Sequence, residues 1–165
     1  MSKSEVALKE AFAGESQANR KYLAFAAKAD QEGHPQAARL FRAAAEAETI
    51  HAHNHLRALK AIHSTRENIE EAVAGESHEF KSMYPAMIDA AKAEGNKEAE
   101  RSFNYANEVE KVHARLYQEL LAGLSKAGEA YAYYVCPVCG YTAEKAAPEV
   151  CPVCGTKGKM FKKVE

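Results

Sequence analysis

The chain contains an internal repeat that places the same charged residues at matching positions in its two halves. Residues 32–52 and 94–114 align at an offset of 62. Each copy contains the motif Glu-x-x-His, with Glu48 and His51 in the first copy and Glu110 and His113 in the second. Two copies are too few for a solenoid, so the repeat indicates two similar helix pairs around a pseudo-twofold axis.

Four stretches carry apolar residues at steps of three and four, which predicts four helices over 3–32, 35–62, 66–94 and 97–124. The chain has only 9 Gly and 5 Pro in 165 residues, which favours helix. Upstream of the repeat, Ala-Gly-Glu-Ser at 13–16 recurs at 74–77, an offset of 61 rather than 62. The extra residue, together with Pro85, predicts a kink or bulge in the third helix.

Five carboxylates interrupt the apolar stripes of these helices: Glu15, Glu48, Glu76, Glu79 and Glu110. A solvated charged face does not explain them, because they interrupt apolar stripes rather than extend polar ones. Burying each carboxylate without a partner would cost on the order of several kcal/mol. Bound metal cations would offset that cost by neutralising the charge. The i, i+3 spacing of Glu-x-x-His puts both side chains on one helix face. One Glu from each of two helices and Glu-x-x-His from each of the other two is the di-iron carboxylate arrangement.

The repeat breaks at Glu79, because the matching position after Glu15 is Ala18. One half therefore supplies an additional carboxylate, and the two metals are expected to be inequivalent. Tyr22 and Tyr84 lie two turns beyond Glu15 and Glu76, where their hydroxyls suit hydrogen bonds to the ligands. The alternative is that both tyrosines are ordinary amphipathic core residues.

All four cysteines lie in the last 30 residues, as two Cys-Pro-Val-Cys pairs: Cys136, Cys139, Cys151 and Cys154. Two such pairs predict a four-thiolate metal site, whereas disulfides would need an oxidising compartment. Tetrahedral thiolate ligation fits both iron and zinc. A segment of some 30 residues is too short to form a stable hydrophobic core of its own, so we expect it to fold around its metal.

Charge and hydropathy argue against two classes of partner. The formal net charge is −1, from 22 basic and 23 acidic residues, so nothing points to nucleic acid. No apolar run approaches the roughly 20 residues that span a bilayer, so no membrane association is expected. The N-terminal Met-Ser-Lys-Ser-Glu lacks an apolar export segment, which favours a cytoplasmic location.

At these motifs the chain resembles the rubrerythrin family. The matching segments are Ala-Gly-Glu15-Ser, Glu48-Thr-Ile-His51, Glu76-Ser-His-Glu79, Met83-Tyr84-Pro85, Glu110-Lys-Val-His113 and the two cysteine pairs. The resemblance implies an all-α ferritin-like four-helix bundle over 1–128 and a small β-rich rubredoxin-like module over 129–165. It also implies two iron ions in the bundle and favours iron over zinc at the cysteines.

The resemblance assigns roles to individual residues. Glu48 and Glu110 are expected to bridge or chelate both irons, and Glu15 and Glu76 to be terminal ligands. His113 would bind one iron, while Glu79 in the ferric state and His51 in the ferrous state would compete for the other. The residues expected to take part in catalysis are Glu79, His51, Tyr22 and Tyr84.

A geometric argument predicts a homodimer. In the ferritin-like arrangement the second and third helices run parallel and are joined by a long crossover. Here the connection between them is short, about four residues by the predicted boundaries. One chain cannot close such a bundle, so we expect the helix pair 1–62 to pack with 66–124 of a second subunit.

The resemblance implies reduction of hydrogen peroxide to water, with electrons passed through the Fe(Cys)₄ site from an external NAD(P)H-linked reductase or a rubredoxin. One alternative is an iron-handling role as a ferritin-like ferroxidase. Another is a pure electron carrier, in which the bundle serves as a scaffold. The appended cysteine module argues against the ferroxidase, and the five inward carboxylates argue against the carrier.

Overall fold

The computed structural model describes residues 1–125 and 128–165, which form two compact units, 1–63 and 64–165. Within the described ranges, no helix combines the length and apolar character that crossing a bilayer requires. The predicted boundary at 128/129 comes one residue after Lys126 and Ala127, which lie outside the described residues, and it stays a prediction.

The first unit is a pair of packed helices, α1 (Lys3–Gln31) and α2 (Pro35–Ala58). A capping box between Ser2 and Glu5 begins α1, because each side chain bonds the backbone N–H of the other. The residues buried in this unit are small: Asn19, Ala26, Ala29, Ala38, Ala45 and Ala52. Larger apolar side chains stay exposed, including Phe25 (47%), Leu40 (69%) and Ile50 (53%).

The helix α2 ends at Ala58, four residues before the predicted end at 62. Lys60 adopts a left-handed φ of +53°. Its N–H bonds to the Arg57 carbonyl at 3.0 Å, and the N–H of Ala61 bonds to the Leu56 carbonyl at 3.1 Å. This is a Schellman ending, which usually has Gly at the left-handed position. The sequence therefore offered no signal for the earlier end.

The helical part of the second unit contains α3 (Thr65–His78), a π-helical segment (Glu79–Met83), α4 (Tyr84–Ala93) and α5 (Lys97–Gly123). A capping box between Ser64 and Glu67 begins α3. The side chain of Asn96 accepts a hydrogen bond from the N–H of Ala99 and begins α5. Both α3 and α4 pack against α5.

The π-helical segment confirms the predicted irregularity in the third helix. A π-bulge accommodates one inserted residue, and it lies where the repeat offset changes from 61 to 62. Glu79, the carboxylate without a counterpart in the first half, is the first residue of the segment. Pro85 follows at the start of α4, where its missing N–H is tolerated.

The last part of the second unit is a three-stranded antiparallel sheet in the order β2-β1-β3. Its strands are β1 (Tyr133–Val135), β2 (Thr142–Glu144) and β3 (Lys162–Val164), and a short 3₁₀ helix spans Gly158–Met160. Val135 pairs with Thr142 on one side and Lys162 on the other. The predicted order of an all-α body followed by a small β-rich module is confirmed.

Candidate metal centres

The first unit brings together Glu15 on α1 with Glu48 and His51 on α2, and their ligand atoms all lie within 4.8 Å of one another. His51 Nδ1 lies 2.8 Å from Glu48 Oε2 and 3.8 Å from Glu15 Oε1. The Glu48 and His51 side chains share a face of α2 because they are three residues apart. Two carboxylates and an imidazole within this radius suit a divalent or trivalent cation.

The second unit repeats this arrangement with Glu76 on α3 and Glu110 and His113 on α5. His113 Nδ1 lies 2.7 Å from Glu110 Oε2 and 3.7 Å from Glu76 Oε2. The distances agree with those of the first triad to 0.1 Å. The sequence repeat is therefore a repeat of ligand geometry, and each compact unit holds one triad.

Crowding of negative charge marks the second triad. Burial and the neighbouring Glu110 carboxylate raise the pKa of Glu76 to about 7. Burial also opposes ionisation of Glu110, but hydrogen bonds with His113 and Glu76 outweigh it and lower the pKa of Glu110. The hydrogen bond to Glu110 in turn raises the pKa of His113. A metal ion bound by these three side chains would displace their protons.

Glu79 and Tyr84 lie near this triad without belonging to it. Burial, and then the charge of Glu110, raise the pKa of Glu79. Burial, followed by the charges of Glu110, Glu79 and Glu76, raises the pKa of the Tyr84 hydroxyl. The Tyr84 ring also packs on Phe103, with ring centroids 6.4 Å apart.

Tyr22 occupies a different setting in the first unit. Its ring centroid lies 6.4 Å from that of Phe25 and 6.1 Å from that of Phe41, and those two rings pack edge to face at 5.6 Å. This aromatic packing fits the alternative given above, in which Tyr22 is an ordinary amphipathic core residue. The predicted hydrogen-bonding role of Tyr22 stays a prediction.

The four cysteines converge on one point. All four are free thiols whose sulfur atoms lie within 4.8 Å of one another. Cys136 Sγ lies 3.5 Å from Cys154 Sγ, and the Sγ atoms of Cys139 and Cys151 are also 3.5 Å apart. Metal–sulfur bonds of about 2.3 Å in a tetrahedron place sulfurs roughly 3.75 Å apart. The cysteines thus fit a single tetrahedral metal rather than disulfides.

The thiols of this cluster differ in acidity. Burial opposes ionisation of Cys154, but hydrogen bonds from the Thr156 side chain and backbone outweigh it and lower its pKa to about 6. The Thr156 hydroxyl lies 3.1 Å from Cys154 Sγ. Burial raises the pKa of Cys139. A bound metal requires all four as thiolates, so its affinity depends on pH.

Thr142, at the start of β2, is a site residue that the sequence did not reveal. Its hydroxyl lies 3.0 Å from His113 Nε2, on the side of the ring away from Glu110. Nothing in the repeat marks it, because the cysteine module occurs once. A cleft of about 350 Å³ adjoins this contact, and its lining includes Glu76, His113, Tyr133 and Thr142.

Two family models match most of the chain. The model described as Rubrerythrin matches residues 7–121, and the model described as Rubrerythrin, rubredoxin-like domain, matches residues 134–162. The chain belongs to the rubrerythrin family. Both metal centres lie inside the matched ranges.

Curated proteins and solved structures agree with this assignment. Rubrerythrin-2 of Clostridium acetobutylicum is 40% identical over 151 residues, which cover 82% of each chain. Nigerythrin of Nitratidesulfovibrio vulgaris is 36% identical over 148 residues, covering 81% of this chain and 73% of the relative. The solved structure of fully reduced, all-ferrous nigerythrin matches with a TM-score of 0.61 at 32% identity, covering 99% of this chain and 88% of that chain.

Family membership and the two donor sets together confirm the predicted fold class and metals. The class is a ferritin-like helical body followed by a rubredoxin-like module. The carboxylate–histidine residues are those of a di-iron centre, and the four cysteines are those of a rubredoxin-like iron site. The chain is therefore an iron-binding oxidoreductase of the oxidative-stress type.

Proposed function

We propose that the protein is a di-iron peroxidase that reduces hydrogen peroxide to water. The observation that carries the proposal is the composition of the second unit. The triad of Glu76, Glu110 and His113 and the four-cysteine cluster belong to the same compact unit. A one-electron iron site beside a two-metal carboxylate site suits a reductase better than an iron store.

When bound, two ferrous ions supply the two electrons of the reaction H₂O₂ + 2 H⁺ + 2 e⁻ → 2 H₂O. The chain's own residues provide ligands and protons. Burial raises the pKa of Glu76 to about 7, which suits a carboxyl group that exchanges protons near neutral pH, and burial raises the pKa of Glu79 as well. Tyr84 keeps its proton, since its pKa is raised, and its hydroxyl is a donor available beside the triad.

The proposed ligand roles are divided between the two triads and Glu79. Glu48 and Glu110 would bridge or chelate the two irons, with Glu15 and Glu76 as terminal ligands. His113 would hold one iron, and Glu79 and His51 would exchange at the other as its charge changes. An added carboxylate stabilises the ferric ion more than a neutral imidazole does, and Glu79 lies in the π-helical segment, an irregular backbone.

We also propose that each complete site forms between the unit 1–63 of one copy and the unit 64–165 of another. At ~1.5 Å per residue, Glu48 lies about 15 Å before the end of α2 and Glu76 about 17 Å after the start of α3. Parallel helices with both ligands at one level would thus separate these ends by roughly 32 Å. The connection from Ala58 to Thr65 spans at most about 25 Å, and its turn at Lys60 shortens it further.

The packing of the first unit supports this dimer. Its buried residues are almost all alanines, and Phe25, Leu40 and Ile50 are left about half exposed or more. Two helices joined through an alanine seam bury little apolar surface. A partner that covers the larger side chains would supply the missing burial.

A complementation experiment tests the dimer. A Glu48→Ala chain co-expressed with a Glu110→Ala chain yields one intact site and one doubly altered site if sites form between chains. Two irons should then load per mixed dimer at the intact carboxylate site, whereas each variant alone loads none there. If every site formed within one chain, the mixture would load no better than the single variants. Glu46→Ala with Glu108→Ala is the matched control, since both are exposed.

The remaining assignments follow from the same scheme. The domains are proposed to be 1–128 and 129–165, with the second relaying electrons one at a time to the first. The donor is proposed to be an external NAD(P)H-linked reductase or a rubredoxin in the cytoplasm.

The test of the activity is anaerobic. The iron-loaded protein is reduced, mixed with one equivalent of hydrogen peroxide per di-iron site, and followed by stopped-flow absorbance. We expect fast reoxidation of the carboxylate site followed by the Cys₄ iron, and much slower reoxidation with O₂. Fast reaction with O₂ and a sluggish one with peroxide would overturn the peroxidase and favour the ferroxidase.

A further inference from the structure

Thr142 contacts the His113 imidazole on the nitrogen that faces away from Glu110, and the nearby Gly140 carbonyl also favours a proton on the ring. The Thr142 hydroxyl donates to the Gly140 carbonyl at 3.1 Å, so it accepts from His113 Nε2–H at 3.0 Å. A neutral ring that carries its proton on Nε2 leaves Nδ1 with a lone pair. Nδ1 is the atom that faces Glu110 Oε2 at 2.7 Å and Glu76 Oε2 at 3.7 Å.

The same contact is part of a close approach between the cysteine module and α5. Gly140, which follows Cys139, has a φ of +85°, and a Cβ added there would lie 3.8 Å from Val109 Cγ1. Val109 is 2% exposed and lies one turn before His113. The Gly140 N–H bonds to the Cys136 carbonyl at 3.0 Å. Hydrogen bonds therefore connect the first cysteine loop to the His113 ring through Thr142.

The two histidines of the repeat differ in this respect. The His113 side chain is 27% exposed and has partners on both ring nitrogens. The His51 side chain is 52% exposed, and among the described residues its hydrogen bond is to Glu48 through Nδ1. Thr142 has no counterpart in the first unit. The two halves of the repeat therefore carry the same ligands, but only His113 has a threonine hydroxyl on its second ring nitrogen among the described residues.

We propose that Thr142 is a positioning residue, which docks the cysteine module on α5 and orients His113 so that Nδ1 is presented to the metal. The inference rests on the proposed di-iron site but not on its reaction. Partners of this kind on the second nitrogen of a ligating histidine fix the tautomer and ring orientation, and their loss lowers metal affinity about 10- to 100-fold.

The test uses the full chain with one equivalent of Zn²⁺ at the cysteines, which thiolates select over carboxylates. The variants are Thr142→Val, which keeps the shape, Thr142→Ala, which removes the hydroxyl without adding bulk, and Thr142→Ser, which restores it. Thr65→Val is the matched control, because Thr65 is exposed at the first residue of α3, three turns before Glu76. Zinc content and circular dichroism report whether each variant is folded.

Two measurements follow on each protein. Nitrogen-15 NMR of the histidine rings gives the His113 tautomer and the exchange rate of its Nε2–H. Calorimetric titration with Co²⁺ gives the affinity of the carboxylate site. For Thr142→Val and Thr142→Ala we expect faster Nε2–H exchange and Co²⁺ affinity lowered about 10- to 100-fold. Thr142→Ser should return both values to near wild type, and Thr65→Val should change neither.

Wild-type Co²⁺ affinity and unchanged His113 signals in folded Thr142→Val and Thr142→Ala would overturn the proposal. An equal loss in Thr142→Ser would overturn it as well, since the hydroxyl would then not be the cause. Neither readout involves peroxide. A wild-type protein that fails to reduce peroxide but shows these effects would refute the proposed function and leave the role of Thr142 standing.

Discussion

Replacing Glu76 by Gln should flatten the pH dependence of stability in the protein whose carboxylate site is metal-free. The pKa of Glu76 rises from 4.5 in an ordinary setting to about 7 in the fold, through burial and the Glu110 carboxylate. Below pH 4.5 both the folded and the unfolded chain hold the proton. As pH rises, the unfolded chain releases it first, so the free energy of unfolding falls until the folded pKa is passed.

The size of the effect follows from the two pKa values. Between pH 5 and pH 8, linkage of this carboxyl lowers the free energy of unfolding by about 2 to 3 kcal/mol. Because 22% of the Glu76 side chain is exposed, solvent screening reduces the expected loss to about 2 kcal/mol. His113 acts in the same direction above its ordinary value of 6.5, since its pKa is also raised. The lowered pKa of Glu110 keeps its contribution constant over this range.

The assay is urea unfolding followed by circular dichroism at pH 5 and pH 8, with Zn²⁺ at the cysteines and one fixed protein concentration. Between pH 5 and pH 8 the free energy of unfolding of Glu76→Gln should fall by about 2 kcal/mol less than that of the wild type. Glu108→Gln is the control, because Glu108 is exposed on α5 beside its Lys111 partner, and this variant should keep the wild-type pH dependence. A Glu76→Gln variant with the wild-type difference between pH 5 and pH 8 would show that the triad does not hold the extra proton, since the contribution of the bound Zn²⁺ is common to both proteins.

Three further outcomes are expected. Cys136→Ser should preserve a single turnover of peroxide in stopped flow but stop NAD(P)H-driven turnover, and unimpaired steady-state activity would contradict the relay. Glu110→Gln should abolish two-iron loading by elemental analysis, because it removes a predicted shared ligand, while Glu108→Gln loads normally. Ser64→Ala should lower the free energy of unfolding by about 1 kcal/mol through loss of the α3 capping box. Ser102→Ala, exposed in mid-helix, should change it little.

The places where sequence and structure differ have physical causes. The end of α2 at Ala58 depends on Lys60 adopting a left-handed backbone, for which no propensity argues in a lysine. The irregular third helix was predictable because an inserted residue shifts the repeat offset, and Pro85 pointed to the same place. The sequence did not show that the irregularity is a π-helical segment from Glu79 to Met83, because that form is defined by the backbone hydrogen bonds.

The sequence by itself determined the ligand chemistry. Glutamates on apolar stripes, Glu-x-x-His at matching positions and two cysteine pairs follow from periodicity and donor type, which are local properties. Only the tertiary structure decided how the ligands are grouped and oriented. It divides the carboxylate ligands into one triad per compact unit. It also brings Thr142 to His113 across 29 positions of sequence, because that contact depends on packing of the cysteine module against α5 rather than on any local pattern.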